Sequence, residues 1–107
     1  ATTPVRAEVS AVEMQMLMMI VEQEHREKIE AALSDHRVLG YTEIPTVYGT
    51  GTTGPRLGSR AFPETSSIIF TVAEKSKVQE LLDAINTSCS ECKEGMRTIV
   101  WKVDRMI

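Results

Sequence analysis

This sequence has little of what usually announces a function. Its two cysteines, Cys89 and Cys92, are too few for the disulfide framework of a small secreted domain. No apolar run approaches the roughly 20 residues of a membrane-spanning helix. The opening residues lack the basic start, apolar stretch and small-residue cleavage site of a secretory signal. A cytoplasmic location without direct membrane insertion is therefore expected. There is no basic excess either: the net charge is −3, whereas nonspecific nucleic-acid binding needs a basic face. No ordered Ser/His/Asp set, no H-E-x-x-H and no P-loop is present. Glu22, Glu24 and Glu27 read as the solvated start of a helix rather than as a catalytic acid pair. The protein is not expected to be an enzyme.

What remains is an ordinary globular composition over 107 residues, 42% hydrophobic and 25% charged. That is one domain, long enough to bury a core without cross-links. Residues 1–12 show no clean periodicity and read as an N-terminal tail, leaving 13–107 as the domain. Met14 to Val21 (MQMLMMIV) is apolar on both pleat faces and predicts a central strand covered on both sides. Its four methionines read as core packing rather than as a soft-metal site, because thioethers fill cores well. Glu22 to Arg37 predicts a helix with Ile29, Ala32 and Leu33 as its apolar stripe and Gly40 as its stop. His25 and His36 lie on that stripe about 16 Å apart, at ~1.5 Å rise per residue. They cannot share an ion within one chain and read as helix-end residues.

Tyr41 to Tyr48 predicts a second strand, with Pro45 at an edge, at a bulge or where the strand leaves the sheet. Ser66 to Ala73 predicts a third, with Ile68, Phe70 and Val72 on one face. Glu74 to about Cys89 is a second helix by the spacing of Val78, Leu81, Leu82, Ile85 and Cys89. Arg97 to Ile107 predicts the last strand, with Ile99, Trp101 and Val103 on one face and Thr98, Val100, Lys102 and Asp104 on the other. The order βαββαβ gives an α+β, ferredoxin-like fold: a four-stranded antiparallel sheet with both helices on one face. The open face is expected to be apolar, from Met14–Val21 and Val100. Such a face normally marks an interface, so a closed oligomer is expected.

Between strands two and three lies Tyr48 to Pro63 (YGTGTTGPRLGSRAFP). It carries four of the six glycines and is longer than the two to five residues of an ordinary hairpin loop. Ordering a dozen such residues costs more than ~10 kcal/mol, and Leu57 and Phe62 are its only large apolar side chains. The loop is expected to be mobile when free and to order on a ligand or partner. Gly49, Gly51 and Gly54 let backbone amides approach an anion. Arg56, Arg60, Arg97 and Arg105 are suited to bidentate phosphate contacts. Cys89-x-x-Cys92 admits three readings: a redox pair, half of a metal site, or coincidence with Cys89 in the core. A single CxxC lacks the second pair of ligands that a structural zinc site requires, so no metal site is assigned.

The arrangement, with its oversized loop, resembles the PII family of trimeric signalling proteins. Tyr48-Gly49-Thr50-Gly51 resembles the G-x-G at the base of that family's T-loop. Arg97-Thr-Ile-Val-Trp-Lys-Val-Asp-Arg-Met-Ile107 is similar to its last core strand, with Arg97 as the opening basic residue and Arg105 as the later arginine. The resemblance implies a homotrimer with an adenine nucleotide (ATP, ADP, AMP or cyclic AMP) in the clefts between subunits. It implies that residues 49–64 form a T-loop acting on a regulated partner protein, a membrane transporter among the candidates. It implies nucleotide contacts from Gly49, Gly51, Gly54, Arg56, Arg60, Arg97 and Arg105. The loop lacks the family's uridylylated Tyr, and Thr52 and Thr53 stand where the family has a Gln beside the G-x-G. The loop before the last strand does not reproduce the family's G-D-G. A PII-like relative is expected rather than the nitrogen regulator itself. The alternative is a metal-responsive trimer of the CutA type, which shares the architecture; there His25, His36, the methionines and the CxxC would matter.

Overall fold

The computed structural model describes residues 12–38 and 40–106. All but one residue of the expected tail, and Ile107, lie outside that range. Strand β1 (Met14–Glu22) leads through a 3-10 turn (Gln23–His25) into helix α1 (Arg26–Asp35). Strand β2 (Thr42–Val47) follows, then a small hairpin of β3 (Gly49–Gly51) and β4 (Gly54–Arg56). Next come β5 (Ser66–Glu74), α2 (Lys75–Ser88), the single-turn α3 (Cys92–Gly95) and β6 (Arg97–Val103).

The main sheet has the order β2-β5-β1-β6, antiparallel throughout. β1 is central, as its two apolar rows require. Its odd-numbered row, Leu17, Met19 and Val21, is fully buried. There it joins Ile69 from β5, Ile29 and Leu33 from α1, and Val78, Leu81 and Ile85 from α2 in one core. Both helices thus cover one face, as the element order predicts. The same spacing that defines the apolar stripes in the sequence places Ile29, Ala32 and Leu33 inward.

Several boundaries differ from those expected. Glu22 ends β1 instead of opening a helix, because its pairing with Ser66 carries the ladder one residue further. α1 therefore begins only at Arg26. It ends in a Schellman motif, with Val38 N–H donating to Leu33 O and Arg37 N–H to Ser34 O, both at 3.1 Å. Arg37, at φ 56°, takes the left-handed position that a glycine usually fills. Gly40 is not the stop; its carbonyl accepts a 2.7 Å bond from the buried Thr71 hydroxyl. His25 and His36 flank α1, one at each end. The last strand stops at Val103.

Pro45 sits on the edge strand β2, where the register with β5 shifts between Ile44 and Val47. Its carbonyl accepts a 2.7 Å bond from the fully buried Ser67 hydroxyl. The stretch before β6 is closed by a Cys89–Cys92 disulfide, Cα to Cα 5.3 Å. Both cysteines are also core residues.

The face away from the helices carries Met14, Met16, Met18 and Ile20 of β1. Across from them lie Ile68, Phe70 and Val72 of β5 and Ile99, Trp101 and Val103 of β6. This row is apolar and half-buried to exposed in the single chain, with Trp101 at 44%. Among the described residues of one chain, β1 is therefore covered on one side only. Val100 does not belong to the open face: it pairs with Leu17, which is in the helix-side row. Strict alternation separates the two rows of a strand but does not say which row meets the helices when both are apolar.

Candidate functional site

The long connection between β2 and β5 is not structureless. Gly49↔Arg56, Thr50↔Pro55 and Gly51↔Gly54 pair as a two-residue hairpin turning at Thr52 and Thr53. Beyond it, Leu57 and Ser59 N–H groups donate to the Phe62 carbonyl, at 3.3 and 3.0 Å, and Gly58 N–H donates to Glu64 O at 3.1 Å. Gly58 sits at φ +60°, and a Cβ there would lie 2.7 Å from the Tyr48 ring. Glycine at 58 thus satisfies both the left-handed turn and the close approach of Tyr48.

The hairpin walls a cleft of about 300 Å³. One side is Tyr48 and the β3–β4 turn through Arg56. The floor is Ile20, Ser66 and Ile68, and the far side is Gly95, Met96 and Arg97. Arg97 stands opposite Ile20 in the sheet register, which is why the beginning of the last strand and the hairpin face each other. Five of the seven residues singled out in the sequence, Gly49, Gly51, Gly54, Arg56 and Arg97, are brought together here. Arg60 and Arg105 are exposed and do not line this cleft.

Arg56 is held in place. Its guanidinium donates to Ser66 Oγ at 2.7 Å and to Thr53 Oγ1 at 2.6 Å. It also lies 3.5 Å from the Glu22 carboxylate, with its side chain only 13% exposed. The fork of an arginine has five donors, so two hydroxyls fix its plane without exhausting its capacity. Burial holds the Glu22 carboxyl above the usual carboxylate range, with Glu24 and Glu64 adding to it and Arg56 opposing it. Glu22 therefore is not the solvated residue its acidic neighbours suggest. It also covers Gly95, where a Cβ would meet the Glu22 side chain at 2.4–2.7 Å. Ser66 and Glu22 were invisible as site residues, because partners so far apart in the chain leave no local spacing to read.

The cleft presents glycine backbone, hydroxyls and two arginines around an apolar floor, an arrangement suited to an anionic ligand with a flat apolar part. The family model for Nitrogen regulatory protein P-II matches residues 14–106. The chain belongs to the P-II family. Among solved structures, one that resembles it is CPII of Thiomonas intermedia, a nitrogen regulatory PII-like protein bound to ADP, AMP and bicarbonate. It is 21% identical over 87% of this chain and 90% of that one, TM-score 0.66. A putative PII-like signalling protein of Thermus thermophilus is 12% identical over 86% and 88%, TM-score 0.65. A DUF3240 family protein of Shewanella baltica is 16% identical over 88% and 93%, TM-score 0.68. No curated protein matches by sequence. As a P-II relative the chain is a regulatory, PII-like signalling protein with the ferredoxin-like fold. Among the described residues, no helix is long and apolar enough to cross a membrane.

Proposed function

We propose that this PII-like protein is a cytoplasmic homotrimer. In this reading it binds an adenine nucleotide in its intersubunit clefts and uses the 49–64 T-loop to act on a partner protein, without catalysing a reaction. The observation that carries this reading is the Arg56 fork, oriented by Ser66 and Thr53 at the mouth of a glycine-lined cleft. Oriented guanidinium groups bind phosphates bidentately, and glycines at 49, 51 and 54 let the chain close over them. CPII, of the same family architecture, binds ADP and AMP, which supports an adenine nucleotide as the class of effector. The apolar open face of the sheet supports oligomerisation.

Arg97 is exposed at the edge of the cleft and serves as the second phosphate contact. Arg60 and Arg105 contact the nucleotide only from a neighbouring subunit or after the loop moves. Binding moves the loop because its hairpin forms one wall of the site, and the moved loop meets the partner, for which a membrane transporter is one candidate.

Titration calorimetry against ATP, ADP, AMP and cyclic AMP tests this. At least one nucleotide is expected to bind, and Arg56→Gln is expected to weaken it by about 2 kcal/mol, the loss of a charged hydrogen-bonding group. No heat with any of the four would sink the reading.

A further inference from the structure

The disulfide lies beside a histidine more than sixty residues away in the chain. His25, in the turn between β1 and α1, has a ring nitrogen within 4.8 Å of both Cys89 and Cys92 Sγ, the two sulfurs being joined in the disulfide. The cysteines are buried and the His25 side chain is 13% exposed. We propose that, with the disulfide reduced, Cys89, Cys92 and His25 form a binding site for a thiophilic divalent cation, zinc being the probe of choice.

The geometry suits the chemistry. A tetrahedral zinc with Zn–S near 2.3 Å and Zn–N near 2.0 Å puts its thiolates about 3.8 Å apart and the nitrogen about 3.6 Å from each. Both sulfur–nitrogen edges fall inside the observed 4.8 Å, and the sulfur–sulfur edge opens when the disulfide is reduced. The two cysteines bracket a tight turn, with Cys92 N–H donating to Cys89 O at 3.1 Å, which holds the CxxC spacing that zinc sites use. Glu22 Oε2 and Glu24 Oε1 lie 3.8 and 3.5 Å from His25 Nε2, but they form a cluster apart from the sulfurs, so the fourth position is left to water. The acidic pair alone would carry nothing, since exposed carboxylates cluster commonly; the buried sulfurs make the site.

The redox step balances simply. A dithiol reductant delivers two electrons and two protons to the Cys89–Cys92 bond and becomes a disulfide itself. The cation then displaces the two thiol protons and is held by two thiolates and neutral imidazole. Disulfide and cation are mutually exclusive occupants. The site is separate from the nucleotide cleft, and the proposal stands whether or not a nucleotide binds.

The test uses the full chain, reduced and then freed of reductant without oxygen, titrated with cobalt(II) and then zinc. One cobalt per chain is expected, with a thiolate-to-cobalt charge-transfer band that zinc abolishes. The oxidised protein should show no such band. Cys89→Ser and Cys92→Ser should each lower the band's intensity, and His25→Gln should keep it while weakening affinity by about tenfold or more. X-ray absorption of the zinc-loaded wild type needs no variant and should count two sulfurs and imidazole scattering. Absence of the charge-transfer band in the reduced wild type would overturn the proposal. So would a sulfur count other than two, or a folded His25→Gln that binds as tightly as the wild type.

Discussion

Glu43 shows what one carboxylate does when its environment is contested. Burial raises its carboxyl above the usual carboxylate range, and Glu30 raises it further by a hydrogen bond and by its charge, while Arg26 opposes both. Arg26 Nε and Glu43 Oε1 are 3.5 Å apart, buried, and not otherwise hydrogen-bonded. The folded state thus holds the Glu43 proton more tightly than the unfolded chain does. Where the folded state binds more protons, stability falls as pH rises. The cost is absent below the ordinary carboxylate pKa and complete once pH exceeds the raised folded value. Glu43→Gln is therefore expected to be more stable relative to the wild type at neutral pH than at about pH 4, measured by urea denaturation at both. A stability difference independent of pH would contradict this account. Residues of this kind were not legible in the sequence. The Glu43–Arg26 contact, the Glu22–Arg56 pair and His25 beside Cys89 and Cys92 are set by how elements dock, and docking leaves no trace in local spacing.

Elements were more legible, because periodicity is a local property. The methionine-rich run announced a central strand through its two apolar rows, and Ile29, Ala32 and Leu33 announced the inner face of α1. The hairpin inside the long loop was missed. Its strands are three residues each, too short for alternation to register, and glycine and proline weaken any strand signal. The end of α1 is not legible in the sequence, where Gly40 is the expected stop although Arg37 takes the left-handed position. A non-glycine residue in the left-handed region costs about 1–2 kcal/mol, yet the Schellman bonds hold Arg37 there. Arg37→Gly is expected to stabilise the protein by about 0.5–1 kcal/mol, part of the relieved cost being offset by the freer unfolded chain. A shift of the thermal midpoint upward checks this; an unchanged or lower midpoint would show that the Arg37 side chain contributes more than its backbone costs.

At the scale of the whole molecule, the proposed assembly rests on the open sheet face. Trp101, paired with Met16, stands on the apolar row that the helices leave uncovered. If this row joins the subunits, a charge there must be buried without a partner, at a cost of several kcal/mol. Trp101→Glu is expected to dissociate the proposed trimer to monomers with native circular dichroism, read by light scattering. A variant that stayed trimeric would place the subunit contact elsewhere. The sequence made this face legible as apolar through Met14–Val21, while Val100, assigned to it, belongs to the other row. Part of the cleft's lining was also legible, in its glycines and in Arg56 and Arg97, whereas the groups that orient Arg56 were not.

The central position of β1 has a consequence for how the chain comes to be folded. Met14 pairs with Val103 on one side and with Glu74 on the other. Of the sheet's four strands, the one made first is thus completed last. Until residues 97–103 are available, one edge of β1 lacks its partner, and its apolar rows are only partly covered. Closing such a long loop must be met before the pairing rewards it, which makes sheets of this topology slow to form. During synthesis the nascent chain therefore carries an unsatisfied, methionine-rich edge until residues 97–103 have emerged. In that interval aggregation competes with folding.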